Sequence, residues 1–200
     1  MKIKTGNTCF SMGSTIAKFF KSFFTKKPTR IVMVGLDAAG KTSVLYRLKL
    51  GEAVMSNPTL GFNVEEVQFE NLKFTIWDVG GQKRIRQLWN HYYEGVNAVV
   101  YVVDCSDHRR IKCSNPDGCD ECAHCELHNM LRSEHLTNAP VLILANKQDI
   151  AGAAKPDEAA RLLGLAELPS SRKWHIQGCC ALTGQGLTEG FRWLGANSSA

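Results

Sequence analysis

No stretch of this 200-residue chain approaches the roughly 20 consecutive apolar residues that a membrane-spanning helix requires. The longest apolar run in its body, Ala98 to Val103, has the length of one buried strand. Residues 1–11 lack the apolar core of a secretory leader, so the eight cysteines are expected to be reduced thiols or metal ligands of a cytosolic protein rather than disulfides. No internal repeat is visible, which excludes a solenoid. Residues 1–30 contain no acid.

That last absence concentrates the charge. Seven of the 24 Lys and Arg residues fall in the first 30 positions, leaving 17 bases against 19 acids on the rest of a chain whose net charge is +5. The body is therefore near −2 and no partner for nucleic acid. The basic arm suits an anionic membrane surface. Within it Ile16, Phe19, Phe20, Phe23 and Phe24 recur at helical spacing as one apolar stripe. Residues 1–29 are read as an N-terminal extension with a membrane-binding helix, and 30–200 as one nucleotide-binding domain.

Strand and helix signals alternate after the arm. Arg30–Gly35, Ala98–Asp104 and Val141–Asn146 are apolar runs of buried-strand type. Asn63–Glu70 and Lys73–Asp78 alternate about a turn and read as an antiparallel hairpin. Trp174–Gln177 is expected to be the last strand. Helices are expected over Gly40–Leu50 and near 123–136, 156–163 and 187–194, the last one short. This order predicts an α/β fold in three layers, a mainly parallel six-stranded sheet with one antiparallel edge hairpin.

Gly35-Leu36-Asp37-Ala38-Ala39-Gly40-Lys41-Thr42 fits G-x-x-x-x-G-K-[ST] between an expected strand and an expected helix. The backbone of Asp37, Ala38, Ala39, Gly40, Lys41, Thr42 and Ser43 is expected to curl around phosphate oxygens, as helix N-termini and glycine loops do. Lys41 would neutralise the β- and γ-phosphates, and the Thr42 hydroxyl would ligate Mg²⁺. Asn146-Lys147-Gln148-Asp149 follows a strand, where N-K-x-D selects guanine. Asp149 can accept from the guanine N1–H and 2-amino group, which adenine does not offer. Lys147 would lie along the base, Asn146 would brace the loop, and Cys180-Ala181 would present an N–H to guanine O6. In Trp77-Asp78-Val79-Gly80-Gly81-Gln82, Asp78 is expected to close a strand and hold a Mg²⁺-bound water. Gly81 would offer its N–H to the γ-phosphate, and Gln82 would orient the attacking water as the catalytic residue. Thr59 is the second hydroxyl expected on Mg²⁺.

GLDAAGKT, NPTLGFNVE, WDVGGQ, HYY and NKQD, in this order, resemble the ADP-ribosylation factor and ADP-ribosylation-factor-like small GTPases, from about Met12 to Leu194. The resemblance implies the P-loop NTPase fold of small GTPases. It implies a GTP/GDP switch with Mg²⁺ that regulates vesicle-mediated protein transport, cycling between the cytosol and the cytosolic face of the Golgi or other endomembranes. Its partners would be an exchange factor, a GTPase-activating protein, coat or tether effectors, and membrane lipids. It also implies a 63–78 hairpin that slides in register with the nucleotide state, and an effector triad of Phe62, Trp77 and Tyr92. Gly13 matches the family's myristoylated glycine if translation starts at Met12; the 11 residues ahead of it depart from the pattern. Lys83-Arg84 departs as well, adding charge after Gln82.

The chain shows no evident arginine in cis, so hydrolysis is expected to be slow without an activating protein. Two other readings compete: an adaptor that binds GTP without significant hydrolysis, and a P-loop kinase or ATPase, which N-K-x-D disfavours. A polar insert of about nine residues lies near 112–122. Cys113, Cys119, Cys122 and Cys125 in and beside it are either loop thiols or Zn²⁺ ligands. The insert is expected to stand away from the nucleotide.

Overall fold

Three apolar runs too short and too β-branched for helices pair side by side as the centre of one sheet. The computed structural model describes residues 29–51, 59, 61–69, 72–112, 119 and 121–198. Its strands are β1 (Thr29–Val34), β2 (Phe62–Phe69), β3 (Leu72–Val79), β4 (Ala98–Asp104), β5 (Val141–Asn146) and β6 (Trp174–Gly178). The sheet order is β2-β3-β1-β4-β5-β6. Every pairing is parallel except β2 with β3, which run antiparallel from Phe62↔Val79 to Phe69↔Leu72.

The strand period of two assigns alternate side chains to opposite faces. Ile31 and Met33 of β1, Val100 and Val102 of β4, and Leu142 and Leu144 of β5 share one core with Val44 and Leu45 of α1 (Lys41–Leu50) and with Leu187, Phe191 and Leu194 of α6 (Leu187–Asn197). Their neighbours Val32, Val34, Val99, Tyr101, Val103, Val141 and Ile143 face the other core, which α4 (Ala123–Leu131) and α5 (Pro156–Leu162) cover. The result is the three-layer α/β fold read from the sequence.

Several boundaries differ. β3 continues one residue past Asp78 to Val79. The helix expected over 123–136 ends at Leu131, because Ser133 takes an extended backbone (φ −64°, ψ 132°) and a separate 3₁₀ turn, Glu134–Leu136, follows. The last helix is longer than expected and reaches Asn197; its buried stripe ends at Leu194, whose carbonyl accepts from the Ser198 backbone N–H and hydroxyl at the helix end. Two four-residue helices, α2 (Lys83–Arg86) and α3 (His108–Ile111), are too short to show a period in sequence. The arm, with Gly13 and the Ile16–Phe24 stripe, lies outside the described residues, as does Cys113.

Candidate functional site

β1, β3, β4, β5 and β6 all end on one edge of the sheet, and each delivers a piece of the site there. This is where doubly wound sheets bind ligands. After β1 the chain turns through Ala38 (φ 60°) and Gly40 (φ 93°) into α1. A side chain at Gly40 would meet the Asn146 amide nitrogen at 2.4 Å, so the position demands glycine twice over.

The turn walls a cavity of about 380 Å³ lined by Asp37, Ala38, Gly40, Lys41, Thr42, Ser43, Thr59, Gly81, Gln82 and Lys147. Ten expected site residues, distant in sequence, meet around one space. Ala39 lies just behind them, buried, its carbonyl accepting from Asn146. Lys41 is 6 % exposed and its ammonium donates to the Gly35 and Leu36 carbonyls at 3.0 and 2.9 Å. Burial pushes its pKa down to about 8, against the opposing pull of Asp78 and Asp37.

The Thr42 hydroxyl donates to Asp78 Oδ2 at 2.6 Å and lies 3.0 Å from the Thr59 hydroxyl. Asp78 is fully buried, and burial raises its pKa while the bond from Thr42 and the charge of Lys41 oppose that rise. Its second oxygen, Oδ1, has no hydrogen-bond partner among the described residues. Two hydroxyls and a carboxylate with one oxygen unspent, all oxygen donors, fit Mg²⁺ as hard cations require.

Gly80 and Gly81 press the start of the next segment onto this centre. The Gly80 N–H donates to the Gly61 carbonyl at 2.8 Å. A Cβ on Gly81 would fall 2.4 Å from the Asp37 nitrogen and the Gly35 oxygen. Gln82 follows as the residue that opens α2.

On the base side Asn146 is 1 % exposed and joins two loops: its amide donates to the Ala39 carbonyl at 2.8 Å, and its Oδ1 accepts from the Ala181 N–H at 3.0 Å. Lys147 takes a left-handed backbone (φ 65°) and its ammonium meets Asp104 Oδ2 at 2.6 Å. Burial pushes the Asp104 carboxyl up, but the bonds from Lys147 and Ser106 outweigh it and hold it below the usual range. Asp149 is exposed and its carboxylate has no partner among the described residues. The Cys180 N–H donates to the Gln185 carbonyl and the Ala181 N–H to Asn146, so both amides are engaged within the protein.

Sequence reasoning missed Asp104 and Arg110. Asp104 ends β4 on the ligand edge, and that position was the available signal. Arg110 of α3 reaches back 73 residues: its Nη1 lies 3.2 Å from both Asp37 carboxylate oxygens, while its Nε bonds Asp107 at 2.7 Å. Nothing in sequence links them. Among the described residues no arginine lines the cavity.

Phe62, Trp77 and Tyr92 do come together. Phe62 stacks on Trp77 at 5.4 Å (22°) and lies 5.2 Å from Tyr92, and Phe62 is 50 % exposed. Arg30 lies over the Trp77 ring at 4.6 Å. Of the insert, the described Glu121 reaches the segment after Gln82. Lys83, directly after Gln82, pairs with Glu121 at 3.2 Å, and Arg86 of α2 pairs with Glu126 of α4.

The ADP-ribosylation factor family model matches residues 15–198. Among solved structures, the Arl6 (BBS3) small GTPase of Trypanosoma brucei, determined with the nucleotide analogue GppNp, is 35 % identical to this chain. That match covers 85 % of this chain and 96 % of the other, with a TM-score of 0.75. A glycine loop, two hydroxyls and a carboxylate on one centre, an N-K-x-D loop braced to it and a family match across nearly the whole domain agree: the chain belongs to the ADP-ribosylation factor family, and is a GTP-binding switch and GTPase of the Ras superfamily.

Proposed function

We propose that this GTPase regulates vesicle-mediated protein transport on the cytosolic face of the Golgi or other endomembranes, with the nucleotide deciding whether its effector surface is presented. The observation that carries this is the meeting of Thr59 and Gly61, which precede β2, with Thr42 and Gly80 around one centre. The same strand that starts beside Thr59 begins with Phe62, whose ring forms the exposed patch with Trp77 and Tyr92. Contact at the phosphate end therefore sets the position of the aromatic end.

Thr42 and Thr59 would hold Mg²⁺, with Asp78 bonded beside them, and the ion would neutralise phosphate charge. Lys41 keeps a buried ammonium whose attraction for phosphate is little screened. Gln82 orients water at the open side of the cavity. Because no described arginine lines that cavity, hydrolysis is slow until an activating protein supplies the missing charge. Exchange factors, coat or tether effectors and membrane lipids complete the cycle, the lipids meeting the basic arm and, if Met12 is the start, a myristoylated Gly13.

Localisation of the tagged full chain beside its Gln82→Leu form tests the reading. The variant should remain on endomembranes while the wild type divides between membrane and cytosol. An identical, wholly cytosolic distribution of both would overturn it.

A further inference from the structure

The thiols expected to be either loop residues or ligands converge. The sulfurs of Cys119, Cys122 and Cys125 all lie within 4.8 Å of one another. Cys119 Sγ and Cys125 Sγ stand 3.8 Å apart. A disulfide would need about 2.05 Å, whereas thiolates around a tetrahedral ion with bonds of about 2.3 Å are separated by about 3.8 Å. The Cys119–Cys125 separation matches that of two ligands on one cation, and Cys122 lies within reach of both.

Two further contacts hold the cluster in place. Cys122 is the residue before α4, and its Sγ accepts the Cys125 N–H at 3.3 Å. That bond fixes the Cys122 sulfur at the first turn of the nine-residue helix. The step is also anchored to the sheet, because the fully buried Tyr101 of β4 donates its hydroxyl to the Ala123 carbonyl at 2.9 Å.

We propose that Cys119, Cys122 and Cys125 bind a zinc ion as three thiolates, and that the bound ion braces the segment following Gln82. Binding releases the thiol protons to solvent. Soft sulfur donors select zinc over the hard Mg²⁺ of the nucleotide site. The brace runs through two carboxylates that flank the ligands. Glu121 pairs with Lys83, and Glu126 pairs with the nearly buried Arg86 at 2.5 Å. Fixing the backbone from 119 to 126 therefore fixes both partners of α2. A rival set, His124, His128 and Glu167, also lies within 4.8 Å, but His128 Nε2 is bonded to the Leu163 carbonyl at 2.9 Å. The metal site stands independently of the proposed transport role; only the consequence for α2 rests on the switch reading.

The full chain, purified under reducing conditions and stripped of metal, is titrated with Co²⁺ and then Zn²⁺. The expected result is intense thiolate-to-cobalt absorption in the near ultraviolet, displaced by one equivalent of zinc. Zinc content should fall below half an equivalent in Cys119→Ser and in Cys125→Ser, both at half-buried positions, and stay at one in His128→Ala. Absence of the thiolate band, or zinc lost from His128→Ala and kept in Cys119→Ser, would overturn the site. Hydrogen exchange over residues 83–92 should slow severalfold in zinc-loaded against chelated protein. Unchanged exchange there with zinc bound would overturn the brace. GTP affinity of the same wild-type preparation reads the nucleotide site separately.

Discussion

The hydroxyls of Thr42 and Thr59, 17 residues apart in sequence, lie 3.0 Å from each other, and Thr42 also donates to Asp78 at 2.6 Å. One hydroxyl belongs to the helix that follows the glycine loop and the other to the segment entering β2. A cation held by both would tie that segment to the phosphates. Losing either hydroxyl should therefore loosen the nucleotide as well as the segment.

Thr42→Ala removes one of those hydroxyls and, with it, the donor to Asp78 Oδ2. A hydrogen bond to a charged group contributes roughly 1.5–3 kcal/mol, so GDP release at low magnesium should quicken by at least about tenfold. Release of a fluorescent GDP analogue across a magnesium series measures this. A rate equal to wild type at every concentration would remove Thr42 from the ion's ligands.

Asp149→Asn exchanges a carboxylate that accepts two bonds for an amide that presents donors to the same groups. Each polar group left mismatched where the bound base shields it from water costs roughly 1–3 kcal/mol. GTP affinity should fall at least tenfold by calorimetry. Unchanged affinity would mean that the exposed Asp149 does not read guanine.

Gln82→Leu should keep nucleotide affinity within about twofold, because the amide acts on water rather than on phosphate. Hydrolysis stimulated by an activating protein should drop by orders of magnitude, about 10³-fold or more. Single-turnover assays with GTP decide it. Equal stimulated rates would leave the chain a GTP-binding adaptor in that complex.

Lys41 makes binding depend on pH. In the free protein its pKa is lowered from 10.5 to about 8 by burial, and phosphate oxygens favour the charged form, so bound nucleotide raises it again. Binding then takes up a proton, about half of one at pH 8 by linkage, and affinity falls as pH rises through that value. For folding without nucleotide the sign is opposite. The unfolded chain holds more protons between pH 8 and 10.5, so stability increases with pH across that window. Calorimetry in two buffers of different ionisation enthalpy measures the uptake. No uptake at pH 8 would show that Lys41 stays charged in the free protein.

How much was legible follows from the range of each interaction. The apolar runs of β1, β4 and β5 and the alternation of β2 and β3 are local patterns, and they located every strand to within a residue or two. The glycine loop and N-K-x-D are equally local, since phosphate and guanine are each met by a few consecutive residues. Helices α2 and α3 were invisible because four residues carry no period. The end of α4 was misplaced because an extended Ser133, rather than loss of apolar character, stops it.

Sequence by itself determined the chemistry on offer: which residue types, in which short spacings, could meet a guanine nucleotide and a magnesium ion. Tertiary structure alone decided the pairings between distant segments. It set the Arg110 guanidinium against Asp37, gave Lys147 to Asp104, and spent the Cys180 and Ala181 amides inside the protein. It also gathered two of the insert's thiols and Cys125 of α4 beside the segment after Gln82. A linear pattern specifies neighbours along the chain, because backbone geometry links only residues a few positions apart. Neighbours across the sheet depend on strand order and on how the helices pack over it, and those follow from the burial of the whole core.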